Sequence, residues 1–366
     1  MKKKKSLSWQ IGAAYIGTVI GAGFASGQEI MQFFTRYGTL GFLALLLSGL
    51  LFSFCGYAIF YLSKHYNAHD YNSFIIKICG PRLSMVYDCI ITLFLFFGAS
   101  IMFSGSGALF EESIAVSRIV GIILIAAITL FVVLHSVEGI LKINSLVMPV
   151  LMVVVLFFLF KTILTGNLTD LLSNAEEVYS GDFLKPVFSL IFYCSYNLVL
   201  AIGVLTAFSQ DIDHLKVLKK GAFIGGMGLM LLAASLNVCL LLYLPAIMKL
   251  SIPVLFIAAM QGTYLKYAIL LCIWFEICTT AVANVFSLAK RIAKNKPAVY
   301  KPASLFIVIA CIPLSLLNFK NLISFFYPLF GALSMFLIAF IFIRFLQARV
   351  SEKPALRSAK IYSRNL

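Results

Sequence analysis

Ten apolar runs dominate the sequence, most of them long enough to cross about 30 Å of hydrocarbon as helices that rise about 1.5 Å per residue. They extend over Trp9 to Phe34, Leu40 to Leu62, Val86 to Phe110, Ile119 to Leu134 and Ile143 to Leu164, and then over Pro186 to Phe208, Ala222 to Leu244, Tyr267 to Ala289, Ala303 to Leu317 and Leu322 to Leu346. None alternates with the period of two that a barrel strand requires, and along a continuous apolar run only a helix satisfies its own backbone in lipid. The expected fold is therefore all-α, a single polytopic transmembrane domain over residues 1–366. With 61% hydrophobic and 12% charged residues and a mean hydropathy of +1.00, the chain has lipid as its main solvent.

Lys2 to Lys5 ahead of the stretch from Ile11 to Ile20 has the outline of a cleavable signal peptide. The apolar stretch continues past its glycines to Phe34, however, and reads as a first span. The net charge of +15 is not a nucleic-acid footprint, because the basic residues sit in short connections between spans and not on one folded face. With the N-terminus inside, 22 of the 29 basic residues fall on the inner side. Arg36, Arg118, Lys161, Lys185, Lys249, Lys266 and Lys320 are left for the outer side. The longest outer connection, Thr165 to Lys185, is acidic, with Asp170, Glu176, Glu177 and Asp182. The positive-inside rule then places both termini in the cytoplasm and the chain in a bacterial cytoplasmic membrane.

Five spans in residues 8–164 and five in residues 186–346 must run in opposite directions, because five is odd; this is the geometry of an inverted repeat. A basic tail, residues 347–366, follows. The eight cysteines lie mostly inside the spans without a C-x-x-C pair and read as small buried hydrophobes.

Chemistry concentrates in three spans. The first carries Gly12, Gly17, Gly21, Ala22, Gly23, Ala25, Ser26, Gly27, Gln28 and Glu29. Glycine costs a helix up to about 1 kcal/mol relative to alanine, so this span is expected to break near Gly21 to Gly27. The spacing of Gly17, Gly21 and Ala25 also suits close helix packing. A charge facing lipid is costly, so Glu29 should face a cavity or a partner. The sixth span has Tyr193, Cys194, Ser195, Tyr196 and Asn197 at its centre, and the eighth has Glu276, Thr279, Thr280 and Asn284 on or near one helical face. A carboxylate halfway along a span is a functional candidate by default.

The segment Gly12 to Phe34, GAAYIGTVIGAGFASGQEIMQFF, resembles the opening of the YkvI-type family of bacterial membrane proteins. That family is similar to the amino acid, polyamine and organocation transporter superfamily, whose fold is the leucine-transporter-like (LeuT-like) inverted repeat of five plus five helices. The resemblance implies a secondary transporter of a small solute, an amino acid or related zwitterion, driven by sodium or protons through alternating access. It also implies breaks in the first span and, in the family pattern, the sixth. The sixth span here has no glycine or proline between Pro186 and Gly203, which argues against a break in it. The implied solute site comprises Gly21, Ala22, Gly23, Ser26, Gln28, Glu29, Tyr193, Ser195, Tyr196 and Asn197. The implied ion site comprises the backbone of Gly17 and Ile20 with Glu276, Thr279 and Thr280, since hard cations want oxygen ligands. No other cofactor is expected; the partners are the bilayer and the solute.

Motifs of other classes are missing. Tyr87 and Asp88 supply half of an intramembrane aspartyl protease pattern, but Gly181 and Asp182 follow Ser180, so the second half fails. H-E-x-x-H, G-x-S-x-G and P-loop patterns do not occur, and no selectivity-filter repeat is present, so neither an enzyme nor an ATP-driven pump is expected. A ligand sensor on the same fold, like the spore germinant receptor subunits of the superfamily, is the alternative.

Overall fold

The computed structural model of the chain describes residues 2–135, 153–212, 214–294 and 296–362, and among them every regular element is helical. The first span is split into α1 (Lys2–Val19), α2 (Ala22–Ala25) and α3 (Gln28–Phe33). It is followed by α4 (Gly38–His65), α5 (Tyr71–Cys79), α6 (Pro81–Ile114), α7 (Arg118–His135), α8 (Val153–Thr165) and α9 (Leu168–Glu177). The second half holds α10 (Leu184–Asp211), α11 (Leu215–Leu242), α12 (Pro253–Gln261), α13 (Thr263–Ala293), α14 (Pro297–Ser315) and α15 (Phe319–Tyr362).

Eight of these, α4, α6, α7, α10, α11, α13, α14 and α15, are long and apolar enough to cross a membrane unaided. Counting α8 and α9, bent by 103°, as one span gives nine among the described residues, and the split first span brings the pattern close to the expected ten. Residues 143–152 of the fifth apolar run, together with Glu138 and Lys142, lie outside the described residues. The expected ten spans would return both ends to one side of the membrane, and the distribution of basic residues makes the cytoplasmic side the expected one. A reporter fused to the C-terminus, active only in the cytoplasm, should therefore be active; activity of a reporter that works only outside would refute the topology.

The connections hold more structure than their composition suggested. The acidic connection between residues 165 and 185 contains α9, capped where Thr169 N donates to Asn167 Oδ1 at 3.1 Å. The α5 helix opens on a capping box of Asp70 and Ser73 and buries Phe74, Ile75 and Ile78 while exposing Asn72 and Lys77. The basic stretch after residue 346 prolongs α15 as far as Tyr362.

Packing repeats with an offset of five spans. The α1 helix packs on α11 as α10 packs on α4, α6 packs on α7 as α13 packs on α14, and α14 meets α6 as α7 meets α13. The pairs α4 with α11 and α6 with α13 map onto themselves under the same exchange. Glycines let α11 cross its neighbours closely: a Cβ on Gly226 would lie 2.4 Å from Ser53 Oγ of α4, and one on Gly225 would lie 2.5 Å from Tyr15 Cδ1 of α1. Phe131, Phe306 and Phe336 stay exposed on the outside of the bundle, as a lipid-facing surface requires. Asp88, half of the incomplete protease pattern, is bound to Arg291 Nη1 at 2.6 Å and ties α6 to α13.

Candidate functional site

The first span comes apart at two points. Ile20 and Gly21 leave the helix, with Gly21 extended (φ −139°, ψ −170°), and Ala22–Ala25 then make a single turn. Gly27 adopts φ +83°, a left-handed conformation that favours glycine, and its Cβ position lies 2.7 Å from Val254 Cγ2. The expectation of a non-helical stretch from Gly21 to Gly27 is thus corrected: two short breaks flank one helical turn.

Broken backbone must find partners. Ser26 Oγ donates to Gly23 O at 2.9 Å and accepts from Gln28 N at 3.3 Å. The connection between α11 and α13 folds down over the break. Val254 N donates to Ser26 O at 3.2 Å, and Gln28 Nε2 donates to Leu250 O at 2.5 Å. That connection is anchored in turn by the Glu112 carboxylate, which accepts from Ser251 N at 3.0 Å and Ile252 N at 3.2 Å.

Beneath the break lies a cavity of about 250 Å³ bordered by residues 17–23 and Glu29 of the first span, Phe94, Gly98 and Met102 of α6, and Tyr196, Asn197 and Leu200 of α10. Glu276, Thr279, Thr280, Ala283 and Asn284 of α13 and Tyr327 of α15 complete it. Ala283 is exposed and Gly17, Thr18, Leu200 and Asn284 are partly so, all toward the end that carries the N-terminus. The cavity is open in that direction and capped by the α11–α13 connection in the other.

Two buried carboxyl groups face it. Glu29 Oε1 accepts from Tyr196 OH and from Asn197 Nδ2, the latter at 3.2 Å. Glu276 Oε1 is buried without a hydrogen-bond partner among the described residues. Thr279 Oγ1 donates to Glu276 O at 3.2 Å, a bond within its own helix. Thr280 Oγ1 lies across from the break, 3.9 Å from the Cβ position of Gly21. Gly17, Ile20, Glu276, Thr279 and Thr280, the residues expected around an ion, all border this one cavity.

The expected solute residues divide. Gly21, Ala22, Gly23, Glu29, Tyr196 and Asn197 line the cavity, whereas Ser26, Gln28, Tyr193 and Ser195 do not. Ser26 and Gln28 instead satisfy backbone around the break. Tyr193 packs its ring against Phe33, Phe34 and Phe52 at centroid distances of 5.5, 4.9 and 5.7 Å. The implied break in the sixth span is also corrected: α10 is continuous from Leu184 to Asp211, so Ser195 has no freed backbone to serve. Sequence reasoning missed Phe94, Gly98, Met102, Leu200 and Tyr327. The rings of Phe94, Tyr196 and Tyr327 cluster, with centroids 6.2 Å (Phe94 to Tyr196), 6.3 Å (Phe94 to Tyr327) and 5.1 Å (Tyr196 to Tyr327) apart. No pattern in the sequence links α15 to the first span.

A split first span packed against a five-span repeat is the leucine-transporter-type fold, and solved structures agree. The chain superposes on MhsT in complex with L-phenylalanine with a TM-score of 0.63 at 18% identity, over 90% of this chain and 87% of that one. A manganese transporter of Eremococcus coleocola matches with a TM-score of 0.61 at 15% identity, over 90% and 77% of the two chains. The inward-facing conformation of Mhp1 matches with a TM-score of 0.57 at 11% identity, over 89% and 73%. The protein is thus a multi-pass membrane protein of that fold. Within it, the chain belongs to the family of the membrane protein YkvI of Bacillus subtilis (strain 168), to which it is 31% identical over 92% of this chain and 95% of the relative. YyaD of the same organism is 27% identical over 90% and 96% of the two chains. No protein-family model matches the chain.

Proposed function

We propose that this protein is a secondary transporter that binds a small solute, an amino acid or related zwitterion, beneath the broken first span and drives it with a sodium or proton gradient. The observation that carries the reading is the cavity itself. It lies where the first span breaks, is lined by two buried carboxyl groups, and is open at one end and capped at the other, as one half of an alternating-access cycle demands. The likeness in fold to transporters supports it.

In this reading, Gly17 and Ile20 carbonyls with the Thr279 and Thr280 hydroxyls offer oxygen ligands for a hard cation, and Glu276 beside them either neutralises that cation or carries a proton. The capping connection at Leu250 to Val254 must release Ser26 and Gln28 for the cavity to open the other way.

The test is uptake of a labelled solute panel into proteoliposomes under imposed sodium or proton gradients. Accumulation against a concentration gradient supports a coupled transporter. Saturable binding with no flux under either gradient overturns it in favour of a sensor.

A further inference from the structure

Away from the cavity, the end of the bundle that carries the N-terminus holds a groove of about 410 Å³ where three helices meet. The end of α7 gives it His135, the last turns of α13 give it Phe286 and Lys290, and the start of α14 gives it Lys296, Tyr300 and Lys301. We propose that this groove binds an anionic phospholipid of the adjoining leaflet, with the phosphate held by the lysines and an acyl chain laid along the apolar face of α14. The site shares no residue with the solute cavity and does not depend on what that cavity binds.

Three observations carry the assignment. First, the charge of the groove is of one sign. Among the described residues that line it are three lysines and no aspartate or glutamate. Lys296 and Lys301 are exposed, and no described residue pairs with either ammonium group. Lys290 Nζ stands over the Phe286 ring, 4.6 Å from its centroid, and so has an aromatic neighbour in place of a counter-ion. Like charges bordering one groove favour an anion among them, and a phosphate is the anion that a membrane surface supplies.

Second, the walls of the groove are fixed to one another. Tyr300 OH donates to Val133 O at 3.1 Å and pins the start of α14 to the end of α7. The Tyr300 ring meets Phe286 of α13 edge-on, with centroids 6.3 Å apart. Neither contact uses Lys296 or Lys301, so both remain available to a ligand. A site whose walls are already in place loses less to ordering when it binds.

Third, the groove continues into an apolar surface. Lys301, Leu305 and Ile309 follow one another at four-residue steps on one face of α14, and Leu305 and Ile309 are exposed. On the α7 side Phe131 is exposed and stacks on His135, with centroids 4.7 Å apart. Cations at the membrane surface, joined to an apolar stripe that leads toward the bilayer centre, match a charged headgroup and its chain. A soluble phosphate compound would use the lysines and leave the stripe bare, which favours a lipid.

The experiment titrates the purified full-length chain, in micelles of an uncharged detergent, with dimyristoyl phosphatidylglycerol or dimyristoyl phosphatidylcholine and counts bound lipids by native mass spectrometry. The two lipids share their chains and differ in headgroup charge. Phosphatidylglycerol should bind about tenfold or more tighter. Lys296→Gln combined with Lys301→Gln should reduce that preference about tenfold, and because both lysines are exposed the fold is not at stake. Lys216→Gln combined with Lys220→Gln, an exposed pair at the start of α11 outside the groove, should leave the preference unchanged. Leu305→Asn should weaken both lipids, and excess glycerol phosphate should displace neither. Equal affinity for the two lipids, an unchanged preference in the groove pair, or an equal loss in both pairs overturns the site. Full lipid binding by Leu305→Asn, or displacement by glycerol phosphate, overturns it in favour of a soluble anion.

Discussion

Glu276→Gln is expected to abolish gradient-driven accumulation of solute while exchange of solute across the membrane continues. Gln keeps the shape of the side chain, so the packing of α13 against α6 should survive. What it removes is the charge and the ability to carry a proton. Glu276 lies about midway along α13, is buried, and has Oε1 without a hydrogen-bond partner in a cavity that also holds the Thr279 and Thr280 hydroxyls. A carboxyl group kept unpaired at that depth costs free energy that folding alone does not recover, which is why such groups mark ion pathways. Without it, sodium loses its neutralising partner and a proton loses its carrier, so binding no longer depends on either gradient. The measurement is the accumulation ratio in proteoliposomes set beside counterflow exchange. If the variant still concentrates solute under both gradients, Glu276 is structural, and Glu29 becomes the candidate for coupling.

The helix count and the broken first span were legible because each depends on local chemistry: apolar length for the spans, glycine density for the break. The two buried carboxyl groups were equally readable, since a charged residue in an apolar run stands out wherever it is placed. Partnership was not. Gln28 looks like a ligand residue in the sequence, yet its amide is consumed by Leu250 O, a carbonyl more than two hundred positions later that arrives only because the α11–α13 connection folds over the break. Tyr327 looks like one more aromatic in an apolar run, and its place beside Glu29 follows from the packing of α15 on α10. The family pattern implied a break in the sixth span, but local sequence decided otherwise: with no glycine or proline before Gly203, α10 stays helical through Tyr193 to Asn197. Polar residues in that stretch then divide by helical face. Tyr196 and Asn197 point to the cavity, and Tyr193 and Ser195 do not.

Gly23→Leu is expected to weaken solute binding markedly while leaving a folded protein. Position 23 lies inside the single turn Ala22–Ala25, with no positive φ recorded for it, so a side chain there meets no backbone prohibition. The conflict is with what stands opposite. The first carbon alone would press on Glu29 Oε2 at 2.9 Å and on the Tyr327 ring at 3.2 Å, and the rest of a leucine would have to extend into the cavity. Overpacking of this kind costs about 1–3 kcal/mol where the surroundings are tight. Because the space lost is the space a solute would fill, that cost falls on binding, as a loss of roughly 5- to 150-fold. The control is Gly203→Ala on α10, where nothing lies within 4 Å of the Cβ position. Alanine there should leave affinity unchanged and stabilise the helix by up to about 1 kcal/mol. Affinity is measured by equilibrium binding of the preferred solute, and folding by the thermal midpoint of the purified variants. If Gly23→Leu binds as tightly as the parent chain at an unchanged midpoint, the part of the cavity beside Gly23 holds no part of the solute, and the binding site must be placed beside Glu276.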